Sequence, residues 1–347
     1  MDFKLDTNSI KKRYIVNDPI QYIDSIECLN VTDIVLPQPD NIVAIGDIHG
    51  DFDGLIYCLY IAHVIDENGN WNCENTYVVQ LGDIFDDCRP TEMNRCRKIP
   101  GITGYDEIMI LKYLSELNAQ AQEHNGKVLL CIGNHEFMAV RNKDAYSRYV
   151  SPTIKKVFKE RENVLKPGGI LSKKLACMMN LVVFLGNWVF LHGGLVNSFI
   201  KDMNNLIKLN NNMKRFLNGE DISNQESEIY KDINKLNTDE SPLLSRTYSL
   251  EECESCPKRC IDELQNLRTS LGIPNLRMVI GHTPQLKGIN SICKIDEEQI
   301  VYRVDAGISW AFGEKFHTSE RIEVLIIKGN KAIHVDDRNF TTNFLVS

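Results

Sequence analysis

Apolar runs of three to five residues recur along the chain, and five of them end on polar segments of one kind. Ile42-Val43-Ala44-Ile45, Tyr77-Val78-Val79-Gln80-Leu81, Val128-Leu129-Leu130-Cys131-Ile132, Trp188-Val189-Phe190-Leu191 and Met278-Val279-Ile280 read as buried strands. They are followed by Gly46-Asp47-Ile48-His49-Gly50, Gly82-Asp83-Ile84-Phe85-Asp86, Gly133-Asn134-His135-Glu136, His192-Gly193-Gly194 and Gly281-His282-Thr283. Helical patterns over 53–64 and 106–124 alternate with the first three strands in βαβ fashion. Residues 142–180 carry more charge and read as helices that stop near Lys166-Pro167-Gly168-Gly169. Strands over 181–185 and 188–191 flank Gly186-Asn187, a two-residue hairpin turn. Residues 197–270 are polar, Asn-rich and helical in pattern, as an insertion or cap would be. Further strands are expected over 277–280, 300–305, 322–328 and 331–335, the last two joined through Gly329-Asn330. The pattern therefore predicts a mixed α/β layered fold. A leader over 1–40 precedes one domain over 41–347, with helical insertions at about 142–180 and 197–270.

The 347 residues suffice for a large core, and 43% hydrophobic with 25% charged residues is ordinary for a globular protein. A net charge of -8 without any dense basic block argues against non-specific nucleic-acid binding and against an anionic membrane as partner. No apolar run reaches membrane-spanning length, and Met1 to Val16 lacks the apolar core of a secretory signal. The 11 cysteines, an odd number scattered along the chain, suit reduced thiols and a cytoplasmic setting better than a disulfide framework.

Side chains gathered at the carboxyl ends of strands are where α/β proteins bind ligands. Asp47 and His49, two apart on an extended segment, face one side and can share one cation. Asp83 offers two carboxylate oxygens that can bridge two cations, and Asn134, His192 and His282 add an amide oxygen and two imidazoles. Carboxylate, imidazole and amide donors suit Mn, Fe or Zn rather than a soft thiolate metal. Two divalent ions held together in this way suit in-line displacement at phosphorus.

The first three segments resemble the signature motifs of the phosphoprotein-phosphatase family of calcineurin-like metallophosphoesterases, and His192 and His282 match that family's remaining metal histidines. The resemblance spans roughly 41–310 and implies a four-layer α/β/β/α sandwich with two divalent metal ions between central sheets. It implies that Asp47, His49 and Asp83 hold one ion and Asp83, Asn134, His192 and His282 the other, with Asn134 also reaching the phosphate. His135 takes the part of general acid and Asp86 of its orienting partner. The implied reaction is hydrolysis by a metal-bridging hydroxide without a phosphoenzyme. Manganese is the ion expected to support it in vitro, with iron and zinc as alternatives.

The pattern departs from the eukaryotic members at Asp87, where their phosphate-clamping Arg follows the second motif. Arg246, within Ser245-Arg246-Thr247-Tyr248, ranks first as its replacement and Arg89 second, while Arg141 reads as a surface residue. Arg303-Val304-Asp305-Ala306-Gly307-Ile308-Ser309 and Val279-Ile280-Gly281-His282-Thr283-Pro284-Gln285 resemble the bacterial-like side of the family, which includes Shewanella-like and viral phosphatases. The expected substrates are phosphoproteins bearing phosphoserine or phosphothreonine, with phosphotyrosine open. Alternatives are diadenosine tetraphosphate or capped RNA, another phosphorylated small molecule, and a catalytically silent binding module. No regulatory subunit is indicated. Cys253, Cys256 and Cys260 form an incomplete zinc pattern, better read as reduced thiols, with Cys293 as a distant fourth. Cys88, beside the second motif, is a candidate oxidisable thiol.

Overall fold

A computed structural model describes residues 5–29, 31–86, 105–141, 161–249, 257–285, 287–295, 298–309 and 322–336. Two short helices open it, α1 (Thr7–Lys12) and α2 (Pro19–Asp24), each capped by an Asp side chain. Strand β1 (Val35–Leu36) leads to β2 (Asn41–Ile45), α3 (Phe52–Ile61), β3 (Thr76–Gln80), α4 (Asp106–Gln122), β4 (Lys127–Cys131) and α5 (Asn134–Val140). There follow α6 (Ile170–Met178), β5 (Met179–Asn180), β6 (Val182–Leu185) and β7 (Trp188–Leu191). Helices α7 (Met203–Leu217), α8 (Glu228–Lys235) and α9 (Pro257–Leu271) make up the Asn-rich region. The last strands are β8 (Arg277–Ile280), β9 (Asn290–Ile295), β10 (Glu298–Arg303), β11 (Glu323–Lys328) and β12 (Lys331–Asp336).

These strands build two six-stranded mixed sheets, ordered β1-β6-β7-β8-β10-β9 and β12-β11-β2-β3-β4-β5. β2, β3, β4 and β5 run parallel, and β11 and β12 add an antiparallel edge to that sheet. In the other sheet β6 and β7 form the expected antiparallel hairpin, while β7, β8 and β10 are parallel. The sheets pack on one another: Cys131 Sγ of β4 lies 3.5 Å from the Phe190 carbonyl of β7. Helix α4 covers β4 and α9 covers β9 on the outside, giving the expected four layers. β2, β3, β4, β6, β7 and β8 are buried almost without interruption, so they appear in the sequence as unbroken apolar runs.

The leader packs on the domain. Leu5, Ile10, Tyr14, Ile23, Ile26 and Leu29 are buried, Lys11 pairs with Asp106 at 2.9 Å, and β1 joins a sheet edge. The Asn-rich region is structural in part: Asn210 of α7 accepts the Leu181 N–H at 2.8 Å. Helix α3 ends at Ile61 rather than at Val64, because His63 takes a left-handed φ of 56° that no α-helix can continue. The expectation of reduced thiols is corrected at two places. Cys28 is disulfide-bonded to Cys177, with Cα atoms 5.3 Å apart, and Cys260 to Cys293, at 6.0 Å. Residues distant in sequence meet there because the leader lies on α6 and α9 lies on β9, which spacing alone does not reveal. Cys253, Cys256 and Cys88 lie outside the described residues. Among the described residues no helix is long and apolar enough to cross a membrane.

Candidate metal centre

Each ligand-type side chain sits on the turn that leaves a strand. Asp47 and His49 follow β2, Asp83 and Asp86 follow β3, and Asn134 and His135 open α5 after β4. His192 follows β7 and His282 follows β8. All eight are buried. The turns are strained and cross-braced. His49, Asp83, Asp86 and His282 have positive φ of 41°, 51°, 68° and 69°. The Asp83 carbonyl accepts N–H groups of Ile48 (3.1 Å) and His49 (2.8 Å), the Asp83 carboxylate accepts that of His135 (2.9 Å), and Asp47 accepts that of His282 (3.1 Å). Gly133 is required where β4 meets α5, since a Cβ there would collide with the Asp83 backbone and carboxylate.

Glu136 holds the second turn in shape. Its Oε2 accepts the N–H groups of Asp83 (3.0 Å) and Gly133 (2.8 Å), and its Oε1 that of Phe85 (2.9 Å). Three buried donors are thereby satisfied by one carboxylate. Glu136 has no ligand or acid part in the motif, but its place three residues past Gly133 is the capping-box position.

The histidine ring orientations leave metal-type lone pairs in the interior. His49 Nδ1–H donates to the Phe85 carbonyl (2.7 Å), and His192 Nδ1–H to the Leu81 carbonyl (2.9 Å). This fixes Nε2 as the outward-facing donor atom of each ring. His49 Nε2 lies 3.9 Å from Asp47 and 3.8 Å from Asp83. His192 Nε2 lies 2.9 Å from Asn134 Oδ1, 3.3 Å from Asp83 and 3.1 Å from His282 Nδ1. With its one proton on Nδ1, neutral His192 presents a bare Nε2 lone pair to this cluster. His282 Nε2 is buried with no hydrogen-bond partner. Ligand atoms of Asp83, His192 and His282, and separately of His49, Asp83 and His135, all fall within 4.8 Å of one another. Converging lone pairs and an orphaned imidazole nitrogen are what a divalent cation satisfies, so the donors fit metal ions.

The charges agree with that fit. Burial, then the Asp305 and Asp83 charges, push the Asp47 carboxyl well up. Burial works against ionised Asp83, but His192, His135 and His49 hold it well below the usual carboxylate range. Burial, His192 and Arg246 push His282 down. Asp305, after β10, is buried, and burial raises its carboxyl to about 6.

His135 stands at the edge of this cluster, Nε2 3.7 Å from Asp83 Oδ2. Its Nδ1–H donates to Asp86 Oδ2 at 2.6 Å. Burial opposes ionised Asp86, yet Arg161 and the His135 bond lower its carboxyl to about 2. Arg161 donates to Asp86 Oδ1 and to Glu107 Oε1, both at 3.1 Å, and lies over the Phe85 ring. Glu107 in turn accepts the Asp86 N–H at 2.6 Å. Neither Arg161 nor Glu107 was singled out from the sequence, since nothing in their local pattern signals contact with a turn 75 or 21 residues away.

Of the arginines weighed for phosphate, Arg246 reaches the rim, its Nη1 donating to Thr283 Oγ1 at 2.7 Å beside His282. Arg141 turns away to the Ile233 carbonyl (3.0 Å) and ties α5 to α8. Arg89 and Asp87 lie outside the described residues.

Residues 41–286 match the family model described as Calcineurin-like phosphoesterase. The chain is 26% identical to Shewanella-like protein phosphatase 2 of Arabidopsis thaliana, over 83% of this chain and 80% of the relative. It is 28% identical to Shewanella-like protein phosphatase 1 of Plasmodium berghei, over 87% of this chain and 79% of the relative. The fold is shared with the cold-active protein-tyrosine phosphatase of a psychrophilic Shewanella, at a TM-score of 0.64 and 23% identity, over 88% of this chain and 80% of that one.

Proposed function

Because the chain belongs to the calcineurin-like phosphoesterases and is a metal-dependent phosphatase of their bacterial-like, Shewanella-like branch, we propose that it dephosphorylates phosphoserine and phosphothreonine in proteins. The family uses a dimetal centre. In this reading Asp47, His49 and Asp83 hold one ion, and Asp83, Asn134, His192 and His282 the other. Bound there, the ions would supply Lewis-acid charge against the phosphoryl oxygens and acidify water. His135 donates a proton from Nε2 to the departing serine or threonine oxygen, and Asp86 keeps its ring turned and supports its positive charge. Arg246, exposed at the rim beside Thr283, binds the phosphate in place of the arginine missing at position 87.

The observation that carries the reading is the buried His135–Asp86 pair beside the ligand cluster. An alkoxide leaves poorly without a proton, so a placed acid suits an unactivated ester such as phosphoserine. The two relatives named as protein phosphatases support the substrate class. The test is a panel in Mn²⁺: phosphoserine, phosphothreonine and phosphotyrosine peptides, diadenosine tetraphosphate and capped RNA. Faster turnover of the phosphotyrosine peptide or of either nucleotide substrate than of the phosphoserine and phosphothreonine peptides overturns the assignment. His135→Asn is expected to lower kcat roughly a hundredfold or more with metal content unchanged. Near-normal turnover would remove His135 from the acid's role.

A further inference from the structure

We propose that Arg161 is a positioning residue for the general acid. It fixes Asp86, and Asp86 fixes His135. The proposal rests on the reading of His135 as the acid.

Each oxygen of the Asp86 carboxylate has a different partner. Oδ2 accepts from His135 Nδ1 at 2.6 Å, and Oδ1 accepts from Arg161 Nη2 at 3.1 Å. With one oxygen tied the carboxylate can rotate; with both tied it cannot, and the imidazole plane is set with it. The backbone needs this support, because Asp86 holds a left-handed φ of 68° and Asp87 follows it where a cation would otherwise stand. The cation arrives from residues 161–165, a helical turn distant in sequence. Arg161 is itself fixed by two further partners and by its depth. Glu107 accepts from it at 3.1 and 3.2 Å, the Phe85 ring lies under its guanidinium, and its side chain is only 10% exposed. Glu107 also accepts the Asp86 N–H, so the guanidinium and the turn it supports share one anchor. That depth, and three carboxylate oxygens within reach, set Arg161 apart from a phosphate-binding arginine, which must present a free face to substrate.

During hydrolysis the P–O ester bond breaks and its electron pair leaves on the ester oxygen. That oxygen takes the proton from His135 Nε2. Water gives phosphorus a hydroxyl and returns a proton to His135. A misaligned imidazole harms this transfer in proportion to how much the leaving oxygen needs the proton. The experiment measures kcat and KM of the Mn²⁺-loaded enzyme on aryl phosphates ranging from 2,4-dinitrophenyl, which leaves unaided, to phenyl, which does not.

Arg161→Gln should lose roughly tenfold to a hundredfold in kcat on phenyl phosphate, about twofold or less on the dinitrophenyl ester, and leave KM unchanged. Arg161→Lys should recover part of the phenyl phosphate loss. Should the Gln variant fail to fold, Arg161→Met, which keeps the stem over Phe85, makes the same comparison. His135→Asn is run alongside. If it steepens the leaving-group dependence while Arg161→Gln lowers all esters equally or none, Arg161 is a structural ion pair and the proposal fails. If His135→Asn also leaves the dependence unchanged, the general-acid reading fails and takes the proposal with it.

Discussion

Replacing Glu136 by Gln changes almost no volume, so its consequences can be worked from hydrogen bonds alone. The carboxylate accepts the N–H groups of Asp83 and Gly133 on one oxygen and of Phe85 on the other. The substituted amide keeps two of these bonds by placing its carbonyl at the doubly used position. Its NH2 then faces the Phe85 N–H, donor against donor, and one buried N–H is left unsatisfied at about 1–3 kcal/mol. The two retained bonds lose their ionic acceptor, at about 1 kcal/mol each. Against this stands relief: burial and the Asp83 charge push the Glu136 carboxyl up, and a neutral amide escapes both. The net loss expected from Glu136→Gln is about 2–4 kcal/mol. Equilibrium urea unfolding of the chelated enzyme measures it. The turn that bends is the one carrying Asp83, so Mn²⁺ affinity should fall roughly tenfold to a hundredfold. A loss under about 0.5 kcal/mol with unchanged Mn²⁺ affinity would refute the view that Glu136 holds the ligand turn.

Chelation should lower Tm by several degrees, since bound ions are worth about 4 kcal/mol at a thousandfold excess over Kd. The drop should be larger at pH 7.5 than at pH 5. Asp305 titrates at about 6 in the folded state, above its unfolded value, so its favourable contribution to the metal-free fold is present at low pH and lost as pH rises through 6. Equal drops at both pH values would contradict this. Lys214, lowered to about 8 by burial, gives the opposite sign. Between pH 8 and about 10.4 the unfolded chain binds more protons, so wild-type stability rises with pH there. Lys214→Met should therefore stabilise in urea at pH 7 and give a smaller gain at pH 10; an equal gain at both pH values would count against a depressed Lys214.

The strands and the candidate ligand segments are legible because their signals are local. β2, β3, β4, β7 and β8 are buried on both faces, so each stands as an apolar run, and Asp47, His49, Asp83, Asn134, His192 and His282 follow those runs within a few residues. β9 leaves no strand signal in the sequence, since Asn290–Ile295 is only partly buried and its pattern mixes polar with apolar residues. Helices α1 and α2 are six residues each and take their stability from packing on the domain rather than from periodicity.

The amino-acid sequence by itself determined the layered α/β class and the strand-end segments that carry the candidate metal ligands, because a strand's end and the residues just past it are set by neighbours along the chain; the pairing of His135 with Asp86 is what the family resemblance implies, and it joins turns 49 residues apart. Tertiary structure alone decided which cation faces Asp86, where the leader packs, and which cysteines pair. Arg161, Glu107, the Cys28–Cys177 bond and the approach of Arg246 to Thr283 each depend on how distant segments are brought together, and no local pattern encodes that distance.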